Sequence, residues 1–538
     1  MALKFNKDIQ ILVVDEQPLA QNYLRYVLEN LGYLNFHYAE NSAAALASCL
    51  DKVFDLIICS FNLNGKDGYQ LYQELKVRNL FHHCTGFIFI SAETDPSLVH
   101  SVLELQPDEF MVKPFAIKDL KSRIDRTLQR KNLFRPLYSL MDQKQTDLAL
   151  KQLDQWLAQG YQAKYTNMLL KIKGELLHQA GRWTEGEQFY SGLVHQEQLH
   201  WAKLGLARCL IQREAYAEAA ALLQPLLQKA DMKLAALDLL AEIHLNQQMY
   251  KKALAELLQA ADIAPRNLIR QQKLMHLSRL NHDYENQFKA AKDLLRFARF
   301  SVYEQPDLYL NLARASIDYA LSVDEEEHIS RLSKVANDTL TNMRQLFPEQ
   351  PKQEQQVVVQ ARIYYLKEQL DKAKQLLLAL EKNAAGQSPE DLLDKAKALH
   401  EVGMLSSSRE LLRQLNQDAS TLKNADPVFL TSLRQEQQER ETLPMGPREF
   451  NNNAVLLYEK GQWHQALDAF IQAFSIMPGN VGIALNLLQS LRSTENIDPA
   501  IQTEQLRLQC EVMLSRAKLN EEQQKRWQQL QSQQKIAI

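Results

Sequence analysis

The chain has 538 residues, 46% apolar and 24% charged, with 62 Lys+Arg against 65 Asp+Glu and a formal net charge of −3. At ~150 residues per domain, this length allows three to four domains or one long array. Glycine contributes only 16 residues, about 3% where ~7% is usual, which disfavours a β-rich chain and favours a mostly helical one. No global basic excess advertises a nucleic-acid surface, and no nucleic-acid partner is expected. No apolar run approaches the ~20 residues of a membrane span. Asp15 and Glu16 interrupt the opening MALKFNKDIQILVVDEQ, so no secretory signal is expected there. Cys49, Cys59, Cys84, Cys209 and Cys510 show no C-x-x-C spacing and read as reduced packing residues of a cytoplasmic protein.

The first ~130 residues alternate short β-branched or aromatic runs with amphipathic stretches. IQILVVD (9–15), FHYAE (36–40), DLIICS (55–60), GFIFISA (86–92) and EFMVK (109–113) read as strands. Helices are expected near 18–30, 41–51, 67–78, 96–105 and 116–130. Such alternation predicts a five-stranded parallel α/β sheet, doubly wound with helices on both faces, and functional groups at the carboxyl ends of the strands. Those ends carry Asp15 and Glu16 (VVDEQ), Ser60 before the loop FNLNGKDGYQL, Ser91 (ISAE) and Lys113 (VKPF).

An acid pair, an N-x-x-G-x-D-G loop, Ser-Ala and Lys-Pro-Phe occur here in one order and spacing. The region 8–130 thereby resembles the receiver domain of two-component response regulators. In that family the acid pair binds Mg²⁺, an aspartate ending the third strand accepts a phosphoryl group, and a Ser/Thr and a Lys contact its oxygens. The family motif D-L-I-x-x-D reads here Asp55-Leu56-Ile57-Ile58-Cys59-Ser60, so Ser60 holds the acceptor position. A serine hydroxyl is neutral at pH 7 and forms no acyl phosphate. Its presence also removes one anionic ligand, leaving Asp15 and Glu16 to hold Mg²⁺ only weakly. No cofactor is required on this reading, and a direct Lys113–acid pairing would imitate one signalling state permanently. Asp55 is expected at the far end of its strand and Asp67 in the loop, so neither replaces the acceptor. By resemblance, Ser91 and the aromatic Phe110 couple phosphorylation to a shift of the face formed by the fourth and fifth strands; packing alone is the competing reading. The resemblance also implies a cis Lys113-Pro114 bond. Adjacent His82 and His83 point to opposite sides and suggest no metal site.

From about residue 134 the strand signal disappears. Ala241, Ala253, Leu257, Ala260 and Pro265 repeat in spacing as Ala454, Ala466, Phe470, Ala473 and Pro478, with offsets of 12, 4, 3 and 5. The first four positions recur from Gly174, Ala207, Ala361 and Ala396. An aromatic residue or leucine (Trp183, Tyr216, Tyr250, Leu370, Leu405, Trp463) precedes each second small residue by three. Offset 12 carries the chain from one helix through a turn onto the next, and small residues at both places permit close approach. Offsets 4 and 3 keep the followers on one face, and proline ends the helix. A helical pair of ~34 residues, stacked repeatedly, resembles tetratricopeptide (TPR) repeats over roughly 135–510. A TPR solenoid is therefore expected over 131–538, with an acidic surface loop at 322–330, a hinge near 416–447 and a polar terminal helix. Trp183, Trp463 and Tyr250 are core-facing by period.

The first helix of each pair would line a concave face. Arg448, Asn451 and Tyr458 are candidate groove residues, with asparagine bonding a partner backbone. No G-x-x-x-x-G-K-[ST], H-E-x-x-H, G-x-S-x-G or G-x-G-x-x-G occurs, so no catalytic residue is assigned and no enzyme is expected. The combined reading is a bacterial two-component signalling adaptor, a pseudo-receiver independent of aspartyl phosphorylation joined to a protein-binding array. Its expected partners are a histidine kinase, another response regulator, an array target, or a second copy through the receiver. A phosphorylation-switched regulator and an assembly factor or chaperone scaffold are the alternatives.

Overall fold

The structure, a computed structural model, describes residues 8–196, 199–350, 352–380, 387–417, 426–442, 447–494, 497, 501–517 and 519–532. The chain divides into two compact units, Met1–Asn267 with Ala298–Glu304, and Leu268–Phe297 with Gln305–Ile538. No helix among the described residues is long and apolar enough to cross a membrane.

In the first unit, β1 (Gln10–Val14), β2 (Asn35–Ala39), β3 (Leu56–Ser60), β4 (Gly86–Ser91) and β5 (Glu109–Val112) form one parallel sheet in the order β2-β1-β3-β4-β5. Period-two alternation divides their side chains between two cores. Leu12, Val14, Ile57, Cys59, Phe87 and Phe89 pack against α2 (Ser42–Asp51), α3 (Gly68–Val77) and α4 (Pro96–Glu104). Ile11, Val13, Leu56, Ile58, Ile88 and Ile90 pack against α1 (Pro18–Asn30) and α5 (Ile117–Leu133). The register pairs Val14 with Cys59 and Ser60 with Ile90, which sets the carboxyl ends of the central strands side by side. This is the flavodoxin-like order, whose switch point lies between β1 and β3.

The first unit continues without a spacer. Phe134 directly follows α5, is fully buried, and lies within 6.5 Å of the Tyr138, Trp156, Tyr161 and Tyr165 rings. Paired helices follow: α6 (Arg135–Asp142) with α7 (Thr146–Ala158), α8 (Thr166–Gln179) with α9 (Trp183–Ser191), α10 (His200–Gln212) with α11 (Tyr216–Leu223), and α12 (Lys233–Asn246) with α13 (Tyr250–Ile263). The second unit contains α14 (Leu268–Leu280), α15 (Tyr284–Ala298), α16 (Pro306–Leu321), α17 (Glu326–Leu346), α18 (Gln353–Leu366), α19 (Leu370–Leu378), α20 (Pro389–Glu401) and α21 (Leu405–Gln417). After these come α22 (Pro427–Thr442), α23 (Pro447–Glu459), α24 (Trp463–Ile476), α25 (Val481–Ser493), α26 (Thr503–Arg516) and α27 (Glu521–Ser532).

The offset of 12 has the packing consequence expected of it. Ala207, Ala219, Ala241, Ala253, Ala361, Ala373, Ala396, Ser408, Ala454 and Ala466 are each at most 1% exposed. Ser408 fits this series because its hydroxyl donates to the Ala396 carbonyl at 2.6 Å. A Cβ on Gly174 would lie 2.2 Å from Tyr190 Oη, and one on Gly205 would lie 2.2 Å from Tyr190 Cε1. Tyr190 thus fills a slot that two glycines create. Turns inside the pairs share a second device. Lys144, Gly181, Glu214, Gln248, His282, Glu368, Gly403 and Gly461 all have positive φ, each two residues before a second helix.

Two expectations need correction. The acidic stretch 322–330 is not a surface loop throughout. Residues 326–330 begin α17, where Glu326 and Glu327 favour the positive end of the helix dipole. Asp324, in the short remainder, accepts from Asn480 Nδ2 and Gly482 N, both at 2.8 Å. Trp463 is 39% exposed rather than core-facing, because it opens α24 and packs edge-on against Tyr458. Within 416–447, the described residues 427–442 form a helix, while 418–425 and 443–446 lie outside the described residues.

The first helices of the second unit carry buried charge. Arg362, 1% exposed, reaches Asp318 (2.8 Å), Asp394 (2.7 Å) and Glu401 (2.6 Å). Arg314 pairs with Asp391 and Asp394, and Arg279 pairs with Glu390. Burial alone would raise these carboxyls, but Lys397 and Arg362 hold Asp318 below its ordinary range. Arg279 and His276 likewise hold Glu390 well below it, and Arg314 does so for Asp391. Burial wins at Glu401, whose carboxyl is raised.

Two outcomes follow from this packing. Gly205→Ala is expected to lower stability by about 1–3 kcal/mol through overpacking. In thermal melts, combining it with Tyr190→Leu should cost less than the two single losses added together. Carboxylates held low in the folded chain stabilise it above their ordinary pKa of ~4 and stop doing so as pH falls below it. Acid titration monitored by circular dichroism should therefore show helix lost from about pH 4 downward, with Glu401 partly offsetting the trend.

Candidate functional site

Asp15 follows β1, Ser60 ends β3, Ser91 ends β4 and Lys113 follows β5, so parallel register gathers all four at one end of the sheet. Asp15 is 2% exposed and held on several sides. Its Oδ1 accepts from Gln17 N at 2.9 Å, and its Oδ2 lies 3.2 Å from Lys113 Nζ. Gln21 Nε2 donates to its carbonyl at 2.5 Å. Glu16 is half-buried beside it. Ser91 Oγ accepts from Glu93 N at 2.9 Å, and its carbonyl accepts from Lys113 N at 2.7 Å. Glu93 in turn accepts from Asn62 at 2.9 Å, linking the β4 end to the loop after β3. Phe110 is half-buried against the α2–α4 core. The Lys113-Pro114 bond is cis.

The loop spacing has a local cause. Gly65 has φ +86°, a conformation most L-residues avoid. A Cβ on Gly68 would lie 2.5 Å from the Ser60 carbonyl, so only glycine lets α3 start this close to the strand end. Asp67 caps α3 in a reciprocal pair with Gln70. Ser60 is therefore enclosed by backbone and is only 9% exposed. Burial, followed by nearby Asp67 and Asp15, pushes the neighbouring Cys59 thiol well above its usual range, so it stays protonated.

The donor set does not fit a tightly held divalent cation. Of the acid pair, Lys113 and a backbone N–H engage the two Asp15 oxygens, Ser60 supplies no charge, Glu93 is bonded to Asn62, and Asp67 is paired with Arg266. Among the described residues, no group of three His, Cys, Asp or Glu side chains is placed to hold a metal. His83 instead bonds Asp142 through both its backbone N and its ring. Asp55 lies at the opposite end of β3, where it accepts from Gln10 N at 3.0 Å and pairs with Arg135 at 3.2 Å.

Arg266, just after α13, escaped the sequence reading. Its guanidinium pairs with Asp67 and lies 5.0 Å and 5.5 Å from the centres of the Phe61 and Tyr69 rings. Asn267 donates to Glu104 at the end of α4 at 2.6 Å, and Gln70 donates to the Arg299 carbonyl at 2.7 Å. These contacts cover the flank of the pocket formed by the β3–α3 loop and α4. Of the array candidates, Asn451 is half-buried with its Oδ1 lacking a hydrogen-bond partner. Tyr458 Oη shares a 2.7 Å hydrogen bond with Ser493 Oγ. The Arg448 side chain lies outside the described residues.

Comparison with known proteins places residues 11–125 in the family described as response regulator receiver domain. The chemotaxis protein CheY-3 of Vibrio cholerae is 25% identical over 125 residues, which cover 23% of this chain and 95% of that protein. The transcriptional regulatory protein AruR of Pseudomonas aeruginosa is 28% identical over 205 residues, or 35% of this chain and 80% of that protein. A solved CheY-like receiver domain from Methanospirillum hungatei is 22% identical, covers 23% of this chain and 96% of that chain, and has a TM-score of 0.21.

Arg266→Ala removes a charge-assisted pair and two cation–π contacts, together worth about 1–3 kcal/mol. Hydrogen exchange of amides 62–70 in the full chain should accelerate at least tenfold, while the β1 amides remain protected.

Proposed function

We propose that this chain, whose residues 11–125 are a response regulator receiver domain, is a non-enzymatic two-component signalling adaptor. Its receiver serves as a docking module rather than a phosphoryl acceptor. The observation that carries this reading is Ser60 at the acceptor position beside an Asp15 already paired with Lys113. An acyl phosphate needs a carboxylate nucleophile, and a hydroxyl without an adjacent base is a poor substitute. The Lys113–Asp15 pair supplies a fixed electrostatic state in place of one that alternates with phosphorylation. The helical array, read as TPR repeats, supplies the second binding surface. A histidine kinase or another response regulator is the partner class for the receiver, and a helical or extended segment of a target protein suits the array. On this reading the adaptor dampens phosphotransfer to a true regulator or brings a target to it.

The test is labelling by a small phosphodonor with Mg²⁺. The natural chain is expected to take no label and to give no calorimetric Mg²⁺ signal at millimolar concentration. Ser60→Asp supplies the missing carboxylate and should gain both. A labelled natural chain that loses label in Ser60→Ala would instead establish a switched regulator. Affinity capture with the full chain, read by mass spectrometry, should retain a histidine kinase or response regulator; retention of neither would overturn the adaptor role.

A further inference from the structure

The second unit holds one helix that leaves the pairing pattern. Among the described residues, α18 stacks on α16 and α20 on α18, first helix on first helix. By contrast, α22 packs on α21 and on α14, the first helix of the unit. It lies against the face lined by charged residues of the first helices, and one stripe of its surface meets that face. Phe429 sits 5.3 Å from the Arg279 guanidinium and 5.8 Å from the His276 ring. Ser432 accepts from Arg279 at 3.4 Å, Glu436 pairs with Lys397 at 3.2 Å, and Glu439 pairs with His282 at 3.0 Å. Phe429, Ser432, Glu436 and Glu439 stand at i, i+3, i+7 and i+10, a single helical face.

Two features mark this contact as separable. First, the inner face remains internally paired without α22. Arg362 is held by Asp318, Asp394 and Glu401, Arg314 by Asp391 and Asp394, and Arg279 by Glu390, while Lys397 keeps Asp318 at 2.8 Å. Withdrawal of α22 leaves none of these cations without a carboxylate. Second, the contact is mixed and imperfectly filled: Phe429 and Leu433 join Leu392, Leu393, Leu412 and Leu415 of α20 and α21 in one apolar cluster, but polar groups are buried with them. Ser432, Glu436 and Arg440 are buried in it beside Phe429 and Leu433. Arg279 Nε and Arg440 Nε are buried without a hydrogen-bond partner, and a cavity of about 30 Å³ remains beside Lys397, Glu436 and Arg440. Interfaces that form and part are more polar than obligate ones, whereas permanent cores leave few buried polar atoms unpaired.

We infer that the inner face of α14–α20 is a docking groove for an amphipathic helix of a partner protein, one presenting an aromatic residue followed by acids seven and ten positions on, and that α22 is the resident occupant such a partner displaces. This inference rests on the adaptor reading and names the partner chemistry for its array. A groove already filled from within lowers the apparent affinity for any external helix by the fraction of time it is free.

The probe is a fluorescent synthetic peptide spanning 426–442, titrated into the full chain. Phe429→Ala/Glu436→Gln, which weakens the resident helix and leaves the groove intact, should bind this peptide at least tenfold more tightly than the natural chain. A peptide with Glu436→Lys and Glu439→Lys should bind at least tenfold more weakly than the natural peptide. Equal or absent binding in a double variant that keeps its helical circular dichroism overturns the inference. Hydrogen exchange on the unaltered chain decides the matter even if the variant fails to fold. Amides of α22 should exchange at least tenfold faster than those of α18 and α20, and equal protection would make α22 part of the permanent core. A chain that captures a kinase or regulator while its α22 is permanently protected keeps the adaptor reading and loses only this one.

Discussion

Close approach between helices, made possible by small side chains where they cross, is the constraint on which the helical part of this protein depends. Helix pairs can stack only if the crossing points carry no bulk, and the chain meets this demand with alanine, glycine and one serine twelve residues apart. Alanine is the economical choice because it has the highest helix propensity and loses no side-chain rotamers. Glycine appears where even a methyl group is too large, as at Gly174 and Gly205 around Tyr190. The serine at 408 satisfies the same geometry by turning its hydroxyl back onto Ala396. The sheet end obeys a related rule, since Gly68 lets α3 begin directly against the Ser60 carbonyl.

The strands were legible because β-branched runs of five or six residues alternate with amphipathic stretches, and the observed elements fall within a few residues of that reading. The helical pairs were legible through the offset of 12, which is a local distance along the chain. Other features depend on residues far apart in sequence and left no local trace. Arg266 reaches Asp67 across 199 positions, and nothing near Arg266 distinguishes it from any arginine after a proline. The turns inside the pairs were equally silent. Glu214, Gln248, His282 and Glu368 adopt a left-handed conformation that usually announces itself through glycine or asparagine. The stretch around α22 read as a break because its composition interrupts the repeat, yet the described part of it is a regular helix directed onto another surface.

Electrostatics separates the two charged regions. At the end of the sheet, Lys113 is committed to Asp15 and Glu93 to the Asn62 amide. The site residues were visible in sequence because strand ends are fixed by local pattern. The second charged region was not visible, since Arg279, Arg314, Arg362 and Lys397 lie on four helices that only stacking brings together. Buried ion pairs of this kind contribute little net stability compared with apolar packing, but they penalise any arrangement that leaves one member unpaired. They therefore select a single registration of the first helices.

The joint at Phe134 has a consequence for how the receiver presents itself. With no spacer between α5 and the aromatic core that begins at Phe134, the receiver and the helices that follow it in the first unit are joined by direct packing. Flexible tethers set a local concentration that falls with linker length, and they let a module search a volume. A packed joint restricts that search. A partner large enough to touch both the receiver and α6–α9 gains from both contacts only if its own surface matches their arrangement. On the proposed adaptor reading, selectivity among closely related receiver-binding proteins would arise from geometry as much as from the residues in contact.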